Sequence, residues 1–221
     1  MKSTNNLTET LRAKTQTSLR DAILNGRYHA GQKLIERELC DLTGASRSIL
    51  REALVNLEAS GLIERQSYCG FTVSALSVKK VVEIFELRGA LETMAAQLFT
   101  DRASDLEIDD LKAALQKLEI ALAEANSESM RIAKEVYYDV LFTGCRNNEI
   151  RLALEKVIDR ITFLRNQLLM DEARRAASLI EIQQLTDALV ARDRVAAKIA
   201  CLAHLDGARE AVLKQMAKQV H

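Results

Sequence analysis

Apolar residues recur at helical spacing over most of the chain, and the places where that spacing fails mark its organisation. From Leu7 to Asn25 they fall at Leu11, Leu19, Ala22 and Ile23, and Gly26 and Gly31 then break the pattern, which predicts a helix followed by a turn. Ile35 to Leu42 reads as a short second helix stopped at Gly44. Ser46 can cap a third helix, one that buries Ile49, Leu50, Ala53, Leu54 and Leu57 and ends at Gly61. Two short helices around a glycine-containing turn have the outline of a helix-turn-helix. Leu62 to Arg65 and Phe71 to Ser74 carry strand-forming residues, and the segment from Gln66 to Gly70 between them suits a hairpin, so a wing is expected next.

Beyond Ser77 the period stays helical. Val81, Ile84, Phe85, Leu87 and Leu91 mark one stripe, Leu106, Leu111, Leu115, Leu118 and Leu122 the next, and Leu152, Leu154, Val157, Ile161, Leu164 and Leu168 a later one. Six helices are expected, at roughly 77–102, 104–126, 128–144, 147–170, 175–192 and 193–218. The fold class that follows is mainly α: an N-terminal winged helix-turn-helix over 1–75 and a C-terminal six-helix antiparallel bundle over 76–221. The absence of proline and an aromatic content of 4% agree with long, uninterrupted helices.

Composition removes several function classes. At 48% hydrophobic residues over 221 positions the chain can bury two cores, so disorder is not expected. Its apolar runs stop well short of the roughly 20 residues that a bilayer span needs, and the polar start from Met1 to Glu9 has no export core, so no membrane partner and a cytoplasmic location are expected. Cys40, Cys69, Cys145 and Cys201 lack any Cys-x-x-Cys spacing, which points to reduced, mostly buried thiols. Formal charge is zero overall, and residues 1–75 hold 10 Lys+Arg against 8 Asp+Glu, so a nucleic-acid role must rest on the placement of particular arginines.

That placement is favourable in the third helix. Arg47 and Arg51 are four residues apart, hence on one face, beside the hydroxyls of Ser46 and Ser48 at the helix start. Hydroxyls and free N–H groups at a helix N-terminus suit phosphate oxygens, and arginine can bind guanine O6 and N7 with two donors. The stretch from Leu39 through Thr43-Gly44-Ala45-Ser46-Arg47-Ser48-Ile49-Leu50-Arg51-Glu52-Ala53-Leu54 to Leu62-Ile63 closely resembles the winged helix of the GntR family. Upstream, Ile23-Leu24-Asn25-Gly26 and Ala30-Gly31-Gln32-Lys33-Leu34 extend the likeness; downstream, Gly70-Phe71-Thr72-Val73 does the same. The resemblance implies that Arg37, Arg47, Arg51 and the wing-tip Gly70 touch DNA, with Ser46 and Ser48 on phosphate. Ala30 and Ile49 stand where many members carry proline, which bears on local rigidity and not on DNA binding. The alternatives are local pairing of Arg51 on its own helix, an Arg37–Asp41 pair, and a purely conformational role for Gly70.

Ile84-Phe85-Glu86-Leu87-Arg88-Gly89-Ala90-Leu91-Glu92 looks like the opening helix of the FadR-type C-terminal (FCD) domain, whose members often hold a divalent metal with an Asp and three His. Here Lys134, Tyr138 and Ile182 fall at three of those positions and only His204 is kept, so no metal and no cofactor are expected. In its place the residues suggest an effector site: Lys134 and Tyr138 share a helical face, and Arg88 can grip a carboxylate with two donors. The alternatives are that Lys134 reaches solvent, Arg88 pairs with Glu92, and His204 is a satisfied bundle histidine. By the resemblance, the chain is a repressor of a catabolic operon. It would act as a homodimer on double-stranded operator DNA and be released by a small-molecule effector, a carboxylate on this reading. The rival readings are a winged helix used for protein contacts, an enzyme built on Cys145 or Cys201, and a redox sensor at Cys69; no catalytic motif supports the enzyme.

Overall fold

The computed structural model describes residues 2–66, 70–168 and 171–219, with side chains excluded for 2–10, 127, 156, 159, 161, 163–168 and 219. It divides into two compact units: residues 1–76 with 156–163, and 77–155 with 164–221.

In the first unit, α1 (Lys2–Leu24) leads into β1 (Lys33–Leu34), α2 (Glu36–Thr43), α3 (Arg47–Ala59), β2 (Ile63–Gln66) and β3 (Gly70–Val73). Leu19, Ile23 and Leu24 of α1 are buried with Leu39, Leu50, Ala53, Leu54 and Leu57. The α1 stripe differs from expectation at its start: Leu11 is exposed, and the buried face begins at Thr15, whose hydroxyl bonds back to the Leu11 carbonyl. The wing is a three-stranded sheet in the order β1-β3-β2, both pairings antiparallel. Only β2 and β3 were expected, because a two-residue strand has no period to show. Residues 67–69 of the wing turn, Cys69 among them, lie outside the described residues.

The turn between α2 and α3 is set by two residues. Gly44 takes φ 66°, a left-handed conformation that ends α2 as its N–H bonds to the Cys40 carbonyl. Two residues on, Ser46 is extended and its hydroxyl accepts from the Ile49 N–H, which starts α3.

The second unit is a bundle of α4 (Val78–Arg102), α5 (Asp105–Glu124), α6 (Ser127–Gly144), α8 (Glu172–Val190) and α9 (Arg194–Gln219), together with α7 (Asn148–Leu168) apart from its residues 156–163, which group with the first unit. Helix starts are capped by Ser77, Ser104 with Glu107 in a reciprocal box, Asn126 and Asp171. Two connections turn on positive-φ arginines, a conformation costing an L residue about 1 kcal/mol or more. Arg192 offsets this by donating to the Thr100 and Ala103 carbonyls at the end of α4, and Arg146 by pairing with Glu107. α9 packs along α4 and α8, and α5 along α6. Leu106 departs from expectation at 72% exposure. The buried stripe of α5 runs Ile108, Leu111, Leu115, Leu118, Leu122, and two residues before Ile108 is the opposite face. Ile161, Leu164 and Leu168 lie among the side chains not described. No helix among the described residues is long and apolar enough to cross a membrane.

Candidate nucleic-acid interface and a buried polar cluster

The periodicity that buries one face of α3 exposes the other. With Leu50, Ala53, Leu54 and Leu57 inside, Arg47, Ser48 and Arg51 all project into solvent beside the exposed Ser46. The result is a cationic and hydroxyl-bearing surface at the N-terminal end of a helix, where free N–H groups also point outward. Among the described residues Arg51 makes no ion pair along its own helix. Its Nε donates to both carboxylate oxygens of Glu36 at 3.2 Å, on the first turn of α2. Arg51 is exposed and Glu36 half-buried, so the contact steers the guanidinium more than it stabilises the fold. Glu36 is the residue here that the sequence does not mark, since the 15 positions separating it from Arg51 match no helical spacing. Arg37 is exposed on α2, and among the described residues it makes no ion pair with Asp41. Gly70 is exposed at φ 83°, so glycine suits the backbone at the start of β3.

In the second unit, Arg88 of α4, Lys134 and Tyr138 of α6, and His204 of α9 are all buried. Arg88 donates through Nε to Glu92 and stacks its guanidinium over the Phe85 ring, 5.0 Å from the centroid. Its Nη1 has no acceptor among the described residues. Lys134 stays inside and donates to the Ser178 hydroxyl at 2.9 Å. Tyr138 stacks on Phe142 and meets Tyr137 edge to face. His204 Nδ1 lies 2.8 Å from Glu181, a carboxylate that Arg174 holds with both Nη groups. The positive charges of Lys134 and Arg88 both act on His204, and Tyr138 and Cys201 lie close enough to Arg88 to interact with it electrostatically when ionised. These four side chains therefore belong to one polar region spanning three helices. Arg174, Ser178 and Glu181 complete it from α8. They are separated from their partners by up to 44 positions, and the one local sign of them is Gly207. A Cβ there would come within 2.7 Å of the Glu181 carboxylate, so glycine lets that carboxylate seat against α9.

Burial pushes the His204 imidazole down to about 4, only partly opposed by its bond to Glu181. Burial alone would raise Glu181, but hydrogen bonds from His204 and Arg174 outweigh it and hold the carboxyl at about 2. Near neutrality His204 is uncharged, so Arg174 is the cation that fixes Glu181. In the unfolded chain His204 takes a proton near its ordinary 6.5, so stability falls as pH drops from 6.5 toward 4. Glu181 adds a second loss, beginning below 4.5 and complete near 2. His204→Gln should flatten the first part of this decline, read as denaturant midpoints across pH 6.5 to 4. An unchanged slope would show that His204 is not what acid attacks there.

Burial also raises the thiols of Cys145 and Cys201 above their ordinary value, Cys201 the more strongly, which makes both poor nucleophiles. The metal set implied by the family resemblance does not fit. An ammonium and a phenol stand at two of its positions, a buried Ile182 at a third, and His204 is engaged with Glu181. Among the described residues no three His, Cys, Asp or Glu side chains gather to hold an ion.

Two family profiles match the chain: "Bacterial regulatory proteins, gntR family" over residues 11–73 and "FCD domain" over residues 83–207. The HTH-type transcriptional regulator YdhC of Bacillus subtilis is 30% identical over 189 residues, covering 85% of this chain and 84% of YdhC. The HTH-type transcriptional repressor GlaR of Escherichia coli is 28% identical over 196 residues, covering 85% and 89%. Among solved structures, E. coli McbR/YncC superposes with a TM-score of 0.79 at 21% identity, over 96% of this chain and 99% of that one, and so shares the fold.

Proposed function

Because the chain belongs to the GntR family of bacterial regulatory proteins, with an FCD domain behind its reading head, we propose that it represses a catabolic operon until a small carboxylate effector enters the bundle. It is a ligand-responsive, DNA-binding transcriptional regulator and not an enzyme. The observation that carries the DNA reading is the outward face of α3, where Arg47, Ser48 and Arg51 all project into solvent at the N-terminal end of the helix. On this reading Arg47 and Arg51 reach base edges, Arg37, Ser46 and Ser48 hold phosphate, and Gly70 lets the wing backbone approach the minor groove.

The proposal for the effector rests on Arg88. A guanidinium buried in the bundle with one Nη lacking an acceptor among the described residues is suited to a carboxylate oxygen, and Lys134, Tyr138 and His204 are buried in the same bundle. A cytoplasmic homodimer would present two winged helices to an inverted repeat. Effector binding would alter the spacing of the two heads, and phosphate contacts would be lost.

The test is fluorescence anisotropy of the purified chain on the duplex upstream of its own gene and on a shuffled duplex of equal composition, at modest ionic strength. Preference for the native duplex is expected, with affinity that falls as salt rises. Equal binding to both would remove the operator reading.

A further inference from the structure

The last turn of the reading helix has a partner that the local sequence does not supply. The Leu57 carbonyl accepts from the Leu62 N–H and the Ser60 hydroxyl, and the Glu58 carbonyl accepts from the Gly61 N–H, so both are satisfied within the turn. The Ser60 carbonyl instead takes its donor from α7, where Arg160, 100 positions along the chain, brings its Nε to 2.7 Å. α3 has no basic residue in its own last turn, and a cation is favourable at a helix C-terminus, so Arg160 supplies the charge that this end lacks. Gly61 leaves room for it, since a Cβ there would come within 2.6 Å of the guanidinium carbon.

α7 is pinned a second time by Arg151. This side chain donates to Asp139 at 2.7 Å and to the Thr143 hydroxyl at 3.0 Å, both on α6, the helix that carries Lys134 and Tyr138 of the buried cluster. Arg151 groups with the bundle and Arg160 with the reading head, yet α7 is unbroken from Asn148 to Leu168. Their separation amounts to about 13 Å of helix and roughly two and a half turns, which puts the two guanidinium groups on opposite faces. A continuous helix moves as a rod, so a shift of α6 reaches the end of α3 through Arg160 with no loop to absorb it.

We propose that Arg160 is a positioning residue for DNA reading: carried on α7, it holds the C-terminal end of α3 and passes displacements of α6 to it. The inference rests on the reading of the buried cluster as an effector site and names the route by which that site acts on α3. Hydrogen–deuterium exchange of the full chain tests it without DNA. Arg160→Ala should speed exchange of the Ser60, Gly61 and Leu62 amides about tenfold, the factor that one lost charge-assisted hydrogen bond amounts to, while the Leu54 amide stays protected. Arg151→Ala removes nothing from the reading head, and it should speed the same three amides, which a purely local role in the bundle would not do. Because both act through one rod, the double variant should exceed Arg160→Ala by less than about twofold. In anisotropy titrations each variant should also weaken binding to the upstream duplex with an unchanged salt slope, since no phosphate contact is lost. Unaltered exchange in Arg160→Ala overturns the proposal, as does a response to Arg160→Ala with none to Arg151→Ala. Faster exchange with undiminished affinity also overturns it, because α3 would then be held for stability alone. A native chain without preference for the upstream duplex sinks the operator reading, and exchange of the three amides then still decides whether Arg160 holds α3.

Discussion

Arg47→Ala is expected to lower affinity for the upstream duplex roughly tenfold to a hundredfold, with no change in helical content. The magnitude follows from the chemistry of one bidentate guanidinium–guanine pair, worth about 1–3 kcal/mol of discrimination. Arg47 is exposed at the first turn of α3, and its removal takes nothing from the core. A second reading of the same titration separates its two possible roles. If Arg47 reads a base, affinity for the native duplex falls toward that for the shuffled one. If it holds a phosphate, both fall together and the slope of affinity on salt decreases by about one. Arg51→Ala should act in the same direction, and Glu36→Gln should cost less, because Glu36 only steers the Arg51 guanidinium through Nε. Unchanged affinity in both arginine variants would leave the winged helix as a surface for protein contacts.

The reading helix was legible because its signals are local. A capping serine, a glycine stop and buried residues at 50, 53, 54 and 57 all fall within a few turns, and together they fix which way Arg47 and Arg51 face. β1 was not legible, since Lys33 and Leu34 become a strand only by pairing with Thr72 and Phe71 across the whole reading head. Leu106 was misplaced for a different reason: it belongs to the leucine pattern by composition but not by phase, and the phase is set by Ile108 onward. The buried cluster was half visible. Arg88, Lys134, Tyr138 and His204 could be singled out by position, but the partners that define their chemistry, Ser178 and Glu181 on α8, are joined to them only by packing. The Lys134 ammonium is a case in point, because a lysine on an amphipathic helix ordinarily snorkels to water and here donates to a buried hydroxyl instead.

The largest effect on stability is expected from Glu92→Ala, at about 3–5 kcal/mol, a fall in melting temperature on the order of 10 °C. Arg88 and Glu92 are 2% and 1% exposed, so neither can turn to water when the other is removed. Burial by itself lowers the Arg88 pKa, but the neighbouring Glu92 charge and hydrogen bond outweigh it, so the buried guanidinium is charged and depends on its counter-ion. The pair itself need not be strongly stabilising, because two charges have been taken from water to make it. Arg88→Met combined with Glu92→Leu should therefore recover most of the loss, and failure to recover would show that shape and not unpaired charge was lost. Glu92→Ala also probes the effector reading, since it leaves Arg88 with Nε as well as Nη1 lacking an acceptor. A carboxylate that can reach this guanidinium should then restore melting temperature, so acetate should stabilise Glu92→Ala more than the native chain, and chloride at equal ionic strength should not. Equal response to the two salts would mean that carboxylates do not reach Arg88, and the proposed effector class would fall with it.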